Sequence, residues 1–266
     1  RALRVTERDR HAWFSDDVSM AWTDAATGDF GRSIITRDPV IDEIMERLPY
    51  TLVMGIMAFG VTLVTAIPTG VIAAYYRDTK IDQASRVFAL LGIAIPNFLL
   101  GLLLLLIFAS WLDLFPILPP TSKGILSYDM LVYTLLPAIT IGTGSTALLM
   151  RLMRSSMVEE LDKDYVRTAR AKGLPERTVV QKHVLRNSLI SVVTVAAIQV
   201  AFIISGSVVV EIVFSYPGIG RLLVNRVGNR DFPVIQAIVL LIGVAVILAN
   251  FVADVLYAYL DPRIRY

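Results

Sequence analysis

Five stretches of this chain carry no Asp, Glu, Lys or Arg: 48–76, 87–112, 130–150, 187–210 and 232–253. They are 29, 26, 21, 24 and 22 residues long. A helix of about 20 apolar residues crosses the roughly 30 Å hydrocarbon layer of a bilayer, so each stretch predicts one membrane-spanning helix. The chain thus reads as an all-α membrane protein with five spans. The first stretch is longer than a bilayer requires, which predicts tilt or a helical extension into water. Pro68, Pro96 and Pro137 fall in the first three stretches. They are either ordinary membrane-helix kinks or the shapers of a moving pathway.

The basic residues orient the spans. The connections after the first and third stretches, with the C-terminal tail, hold fourteen Lys and Arg; the opposite side holds seven near the spans, Lys123, Arg221, Arg226 and Arg230 with Arg32, Arg37 and Arg47 close to the first. The excess marks the cytoplasmic side, placing the 151–186 loop and the C-terminus inside and the N-terminal segment outside. Residues 1–47, with ten acids, seven arginines and no apolar run, form an extracytoplasmic segment ahead of a membrane domain over 48–266. A segment this polar needs a preceding span to export it, so a six-span parent is expected. Trp111, Tyr128, Tyr133, Tyr257 and Tyr259 fall near the ends of the stretches, where an aromatic belt anchors helices among the lipid headgroups.

Composition narrows the chemistry. Hydrophobic residues make up 55% and charged residues 18% of 266, and mean hydropathy is +0.64, which excludes disorder and argues against a soluble enzyme. There is no cysteine, and the net charge of +2 is too small to point to nucleic acid. The two histidines, His11 and His183, lie outside the apolar stretches, so no serine–histidine dyad forms inside the bilayer. An ion-coupled secondary carrier, a rival of a different class, normally places acids at the bilayer midplane; these stretches have none. Glu211 and Asp254 stand at the ends of stretches four and five, where an interfacial position brings water within reach. Glu211, with Pro217 and Gly218 just beyond it, is a candidate external gate or docking point, and Asp254 a candidate partner for tail arginines. Asn97, Gln199, Ser205 and Ser207 either line a polar pathway or join helices by hydrogen bonds.

Residues 151–186 are too patterned for a plain connector. Ser156 and Glu159 have capping-box spacing, and Met157, Leu161, Tyr165 and Ala169 recur every fourth residue, which predicts a helix with one apolar stripe up to Lys172. Gly173 suits a left-handed helix stop, and Pro175 suits the first turn of a second helix. The loop carries nine basic and five acidic residues. Such an amphipathic hairpin either docks in a groove of a soluble partner or lies on anionic headgroups.

The segment Tyr165-Val-Arg-Thr-Ala-Arg-Ala-Lys-Gly173-Leu-Pro-Glu-Arg resembles the coupling-helix loop of ABC importer permeases. Ala169, Gly173 and Leu185 match that family's general pattern. The departures resemble its dipeptide, oligopeptide and nickel branch, as do Asp29-Phe-Gly-Arg-Ser33, Glu46-Arg-Leu-Pro-Tyr-Thr-Leu52, Val210-Glu-Ile-Val-Phe-Ser-Tyr-Pro-Gly-Ile-Gly-Arg221 and Asp261-Pro-Arg-Ile-Arg265. The likeness runs in order from about residue 28 to the end. It implies the transmembrane domain of a type I ABC importer in a bacterial or archaeal cytoplasmic membrane, carrying short peptides, with nickel as the alternative cargo. It also implies a second, similar permease, two cytoplasmic ATPase subunits and an extracytoplasmic binding protein. No Gly-x-x-x-x-Gly-Lys-Ser/Thr phosphate loop occurs in the chain, so it is expected to be no enzyme and to hold no cofactor, with ATP and Mg on the ATPase subunits. The resemblance assigns the ATPase contact to Arg167, Thr168, Ala169, Gly173 and Leu174.

Overall fold

A computed structural model describes residues 30–120 and 124–260, without the side chains of 200–206, 254 and 256–260. Residues 1–29, the Asp261–Arg265 motif and the side chains of Asp254, Ser205, Tyr257 and Tyr259 lie outside the described residues. The described chain is mostly helical. Helix α1 (Val40–Tyr75) is followed by α2 (Lys80–Ala94) and α3 (Asn97–Leu104), which runs into a π-helical stretch, Leu105–Trp111. After α4 (Tyr128–Leu161) come α5 (Asp164–Ala171) and the single turn α6 (Glu176–Thr178). A second π-helical stretch, Val179–Val184, leads into α7 (Leu185–Val213), and α8 (Ile219–Gly228) and α9 (Phe232–Leu260) complete the chain.

Helices α1, α4 and α9 each contain a segment long and apolar enough to cross a membrane. The fourth charge-free stretch lies within α7, whose 29 residues span about 43 Å at 1.5 Å per residue. The second stretch is not one rod: α2 and the α3 segment meet at 104°. Proline lacks an N–H and drives the preceding residue into extended conformation. Ile95 (ψ 120°) and Pro96 (ψ 139°) are both extended here, so Pro96 breaks the helix outright. Pro68 and Pro137 remain inside continuous helices. Helix α1 starts at Val40, with Asp42 and Glu43 in its first turn where acids favour the positive end of the helix dipole. The boundary drawn by charge at 47/48 therefore falls inside a helix.

The bundle is organised around α1 against α4. Met54, Ala58, Thr62, Ala66, Gly70 and Ala74 recur every fourth residue along α1, and all are buried. Small side chains let two membrane helices approach backbone to backbone. A Cβ at Gly70 would stand 2.6 Å from Met153 Cβ, and one at Gly142 would stand 3.0 Å from the Ala58 carbonyl oxygen. Thr62 Oγ1 donates to Ala58 O at 2.8 Å and lies 3.2 Å from Gly142 O on α4. Gln199 Nε2 donates to Ser145 Oγ at 3.3 Å, joining α7 to α4. Tyr133, expected as an interfacial anchor, is instead buried. Its hydroxyl donates to Phe214 O, and its ring stacks on Tyr216 at 6.0 Å between centroids.

At the end of the bundle that carries the α5–α6 hairpin, α2 is fixed by an ion-pair node. Asp82 is fully buried; it accepts from Arg154 of α4 at 2.5 and 2.7 Å and from Arg86 at 3.2 and 2.7 Å. The Asp78 N–H adds a bond of 3.1 Å. The Arg154 guanidinium, then that of Arg86, holds the Asp82 carboxyl well below the usual carboxylate range. A carboxyl depressed in the folded state stabilises it above the unfolded pKa, and that contribution fades as pH falls towards the folded value. Asp82→Asn should lower the melting temperature in detergent by about 4–8 °C, corresponding to roughly 2 kcal/mol from charge-assisted bonds. The gap to wild type should hold from pH 8 to pH 5 and narrow only below about pH 4; thermal melts across that range check it.

Candidate functional site

Two places gather the residues singled out by sequence: the hairpin, and a latch at the opposite end of the bundle. Helix α4 continues through Ser156 to Leu161 and the chain breaks at Asp162-Lys163 before α5 begins. Ser156 is therefore a helix-interior residue rather than a cap, and the expected stripe is divided between two helices. Val166 (0% exposed) and Ala169 (7%) sink into a core shared with Met157, Val179, Val180 and Val184. The opposite face looks outward: Arg167, Thr168, Gly173 and Leu174 are exposed. Of the five candidate contact residues, four share the exposed surface, and Ala169 faces inward as the anchor that seats α5.

Gly173 has φ +76°, the left-handed region that glycine occupies without cost from a Cβ. Its N–H donates to Arg170 O at 2.9 Å, and the Leu174 N–H reaches Ala169 O at 3.4 Å, the paired bonds of a Schellman stop. A Cβ at Gly173 would meet nothing within 4 Å, so backbone conformation alone calls for glycine there. Pro175 (ψ 140°) caps α6 from outside rather than occupying its first turn. Across the turn, the Arg170 guanidinium grips Glu176 at 3.0 and 2.7 Å and holds the Glu176 carboxyl below its ordinary value. At the hairpin's other edge, Glu160 accepts from Lys163 and from the Tyr165 hydroxyl, and Asn187 Nδ2 donates to Tyr165 Oη at 3.0 Å.

At the opposite end Glu211 is fully buried. It accepts from Thr51 Oγ1 at 2.8 Å and from the Arg221 N–H at 2.9 Å, with further bonds from Ser207 and the Gly220 N–H. Thr51 Oγ1 in turn accepts from the Ile219 N–H at 2.9 Å. The carboxylate thus caps the N-terminus of α8, where unpaired N–H groups gather, and ties it to α1 and α7. An interfacial Glu211 reaching water, as its place in the sequence suggested, is not what the fold builds. Gly218 is buried beside it, and Pro217 is half-buried. A Cβ at Gly218 would stand 2.5 Å from the Glu211 carboxylate and from Thr51 Oγ1, so glycine is required for the carboxylate to approach. Ser207, a candidate pathway residue, belongs to this latch. A second latch closes nearby: Asp231, fully buried, accepts from Ser33 Oγ at 2.5 Å and the Ile34 N–H at 3.1 Å.

Sequence reading missed Asp82, Arg154, Thr51 and the Ser33–Asp231 pair. The four-residue spacing of Asp82 and Arg86 was a local signal for one ion pair, but Arg154 lies 72 residues from Asp82, and Thr51 lies 160 from Glu211. Among the described residues, no three His, Asp or Glu side chains gather to hold a metal ion.

Comparison with known proteins adds three findings. Residues 66–266 match the family model described as "Binding-protein-dependent transport system inner membrane component". The chain is 44% identical over 244 residues to the glutathione transport system permease protein GsiC of Escherichia coli strain K12, and equally to that of Shigella dysenteriae serotype 1, covering 92% of this chain and 77% of each relative. Its fold is similar to inward-facing structures of the MetNI methionine ABC transporter. One matches with TM-score 0.65 at 17% identity, over 84% of this chain and 99% of the other. An amino acid ABC transporter structure matches with TM-score 0.59 at 12% identity, over 82% and 94%.

Gly218→Ala should detach the loop before α8, because the Cβ displaces the Glu211 carboxylate. Glu211→Gln keeps most of the acceptor geometry and should perturb it less. Limited proteolysis within 214–232 should show faster cleavage for Gly218→Ala than for Glu211→Gln, with wild type slowest.

Proposed function

The chain belongs to the family of binding-protein-dependent transport system inner membrane components and is a permease subunit of an ABC importer; on that premise we propose that it forms half of an ATP-driven pathway for short peptides. Membership displaces the ion-coupled carrier considered from sequence. Being a permease, the chain is not itself catalytic, and ATP with its Mg belongs to two ATPase subunits in the cytoplasm. A second, similar permease completes the pathway, and an extracytoplasmic binding protein delivers cargo. The glutathione in the relatives' name favours a peptide over nickel.

One observation carries the assignment of the coupling surface. The hairpin presents Arg167, Thr168, Gly173 and Leu174 outward while Val166 and Ala169 bolt it to the bundle. A push on the exposed face is therefore delivered to packed helices rather than dissipated in a loose loop. In this reading the hairpin faces the cytoplasm and receives an ATPase subunit, as the excess of basic residues on that side favours. The Glu211 latch and the segment ahead of α1 face outward. Closure of the ATPases on ATP moves the two permeases' hairpins as rigid bodies and re-opens the pathway to the other side. Glu211, Pro217 and Gly218 then serve as the internal fastening of the outer loop. That loop is held firm from inside, and its outer surface receives the binding protein.

The test is reconstitution of the complete transporter in vesicles, with binding protein and ATP. Peptide uptake is expected only with ATP and all subunits; uptake by this chain with its paired permease alone would overturn the reading. Gly173→Val, which strains the left-handed turn, should lower uptake per ATP hydrolysed by about tenfold. Gly173→Asn, which tolerates that region, should keep most of it.

A further inference from the structure

A push received by the hairpin must leave it for the long helices through some physical link, and neither backbone junction is continuous α-helix. Between α4 and α5 the helix is interrupted at Asp162-Lys163. Between α6 and α7 lies the π-helical stretch Val179–Val184, a wider turn that often marks functional positions. The apolar contacts beneath α5 carry a push inward, but such contact is non-directional and does not tie α5 to particular turns of α4 and α7.

A directional link from α5 runs through one phenol, beside a direct bond from Asn187 to Glu160. The Tyr165 hydroxyl donates to Glu160 in the last turn of α4 and accepts from Asn187 Nδ2, at 3.0 Å, in the first turn of α7. Lys163 holds the other Glu160 oxygen. One side chain on α5 thus bridges both interrupted junctions at once. The two helices it joins carry Tyr133 and Glu211 near their other ends. The network sits at the edge of water, with Tyr165 37% exposed, so its bonds can break and re-form without stranding a buried polar group. Burial and then the Glu160 contact push the Tyr165 hydroxyl above its ordinary value, so it remains a donor well above neutral pH.

We propose that Tyr165 is the positioning residue that transmits hairpin movement to α4 and α7, through its shared hydrogen bonds with Glu160 and Asn187. This rests on the hairpin being the ATPase contact. Tyr165→Phe keeps the ring and its packing and removes only the bridge. In the reconstituted transporter, its ratio of peptide transported to ATP hydrolysed should fall about five- to tenfold, while complex assembly and melting temperature stay at wild-type values. Asn187→Ala should lower the same ratio, and the double variant should be no worse than the more affected single variant, because both remove one link. A wild-type ratio for Tyr165→Phe overturns the proposal, as does a loss confined to assembly or stability. Strictly additive effects of the two substitutions overturn it as well. Gly173→Val separates this from the underlying reading: if it lowers the ratio and Tyr165→Phe does not, only the Tyr165 link falls. If Gly173→Val transports normally, the hairpin assignment itself falls.

Discussion

Close approach of α1 to α4 is the constraint on which the rest depends. In lipid there is no hydrophobic gain from bringing two apolar helices together, so association relies on van der Waals contact and interhelical hydrogen bonds. The every-fourth-residue stripe from Met54 to Ala74 supplies that contact because most of its members are too small to hold the backbones apart. Everything else is positioned from this pair. Helix α7 joins it through Gln199 and Ser145, and α9 flanks α7. The hairpin hangs from the end where α4 projects beyond its charge-free stretch.

Acids fasten the two ends of this apolar body, and each carboxylate is buried, although Arg86, one partner of Asp82, stays exposed. Asp82 joins α2 to the projecting end of α4, while Glu211 joins α7, α1 and the start of α8. A buried charge is tolerable only when paired or fully hydrogen-bonded, and both satisfy that condition with donors from distant parts of the chain. The consequence is functional as well as structural. With the ends fastened, a displacement at the hairpin moves helices instead of fraying them, and an importer needs a pathway that opens on one side while staying closed on the other.

The hairpin resolves two demands that its sequence makes at once. Its basic, polar outer face suits contact with a soluble protein, yet a coupling element must not slip on its own bundle. The fold separates these demands by face. Arg167 and Thr168 look outward, Val166 and Ala169 look inward, and the Gly173 stop with the Arg170–Glu176 clamp fixes the angle between the two arms.

The sequence alone determined the helical membrane class, because a stretch without charge is a local property that a bilayer reads directly. It also determined the glycine at the hairpin turn, whose left-handed φ is a local requirement, and the family, through motifs spread in order along the chain. Tertiary structure decided what depends on distant partners. Glu211 and Tyr133 looked interfacial from their distance to the nearest charge, yet both are buried because Thr51 and Arg221 complete one and Phe214 receives the hydroxyl of the other. Ala169 fell within the contact motif, but only the packing of α5 on Val179 and Val184 turns it inward. Pro96 was legible as a perturbation, but its effect was not: the same residue type leaves α1 and α4 continuous and breaks α2 from α3 by 104°. A proline inside a helix removes one hydrogen bond, and the neighbours packed around it decide whether the helix carries on.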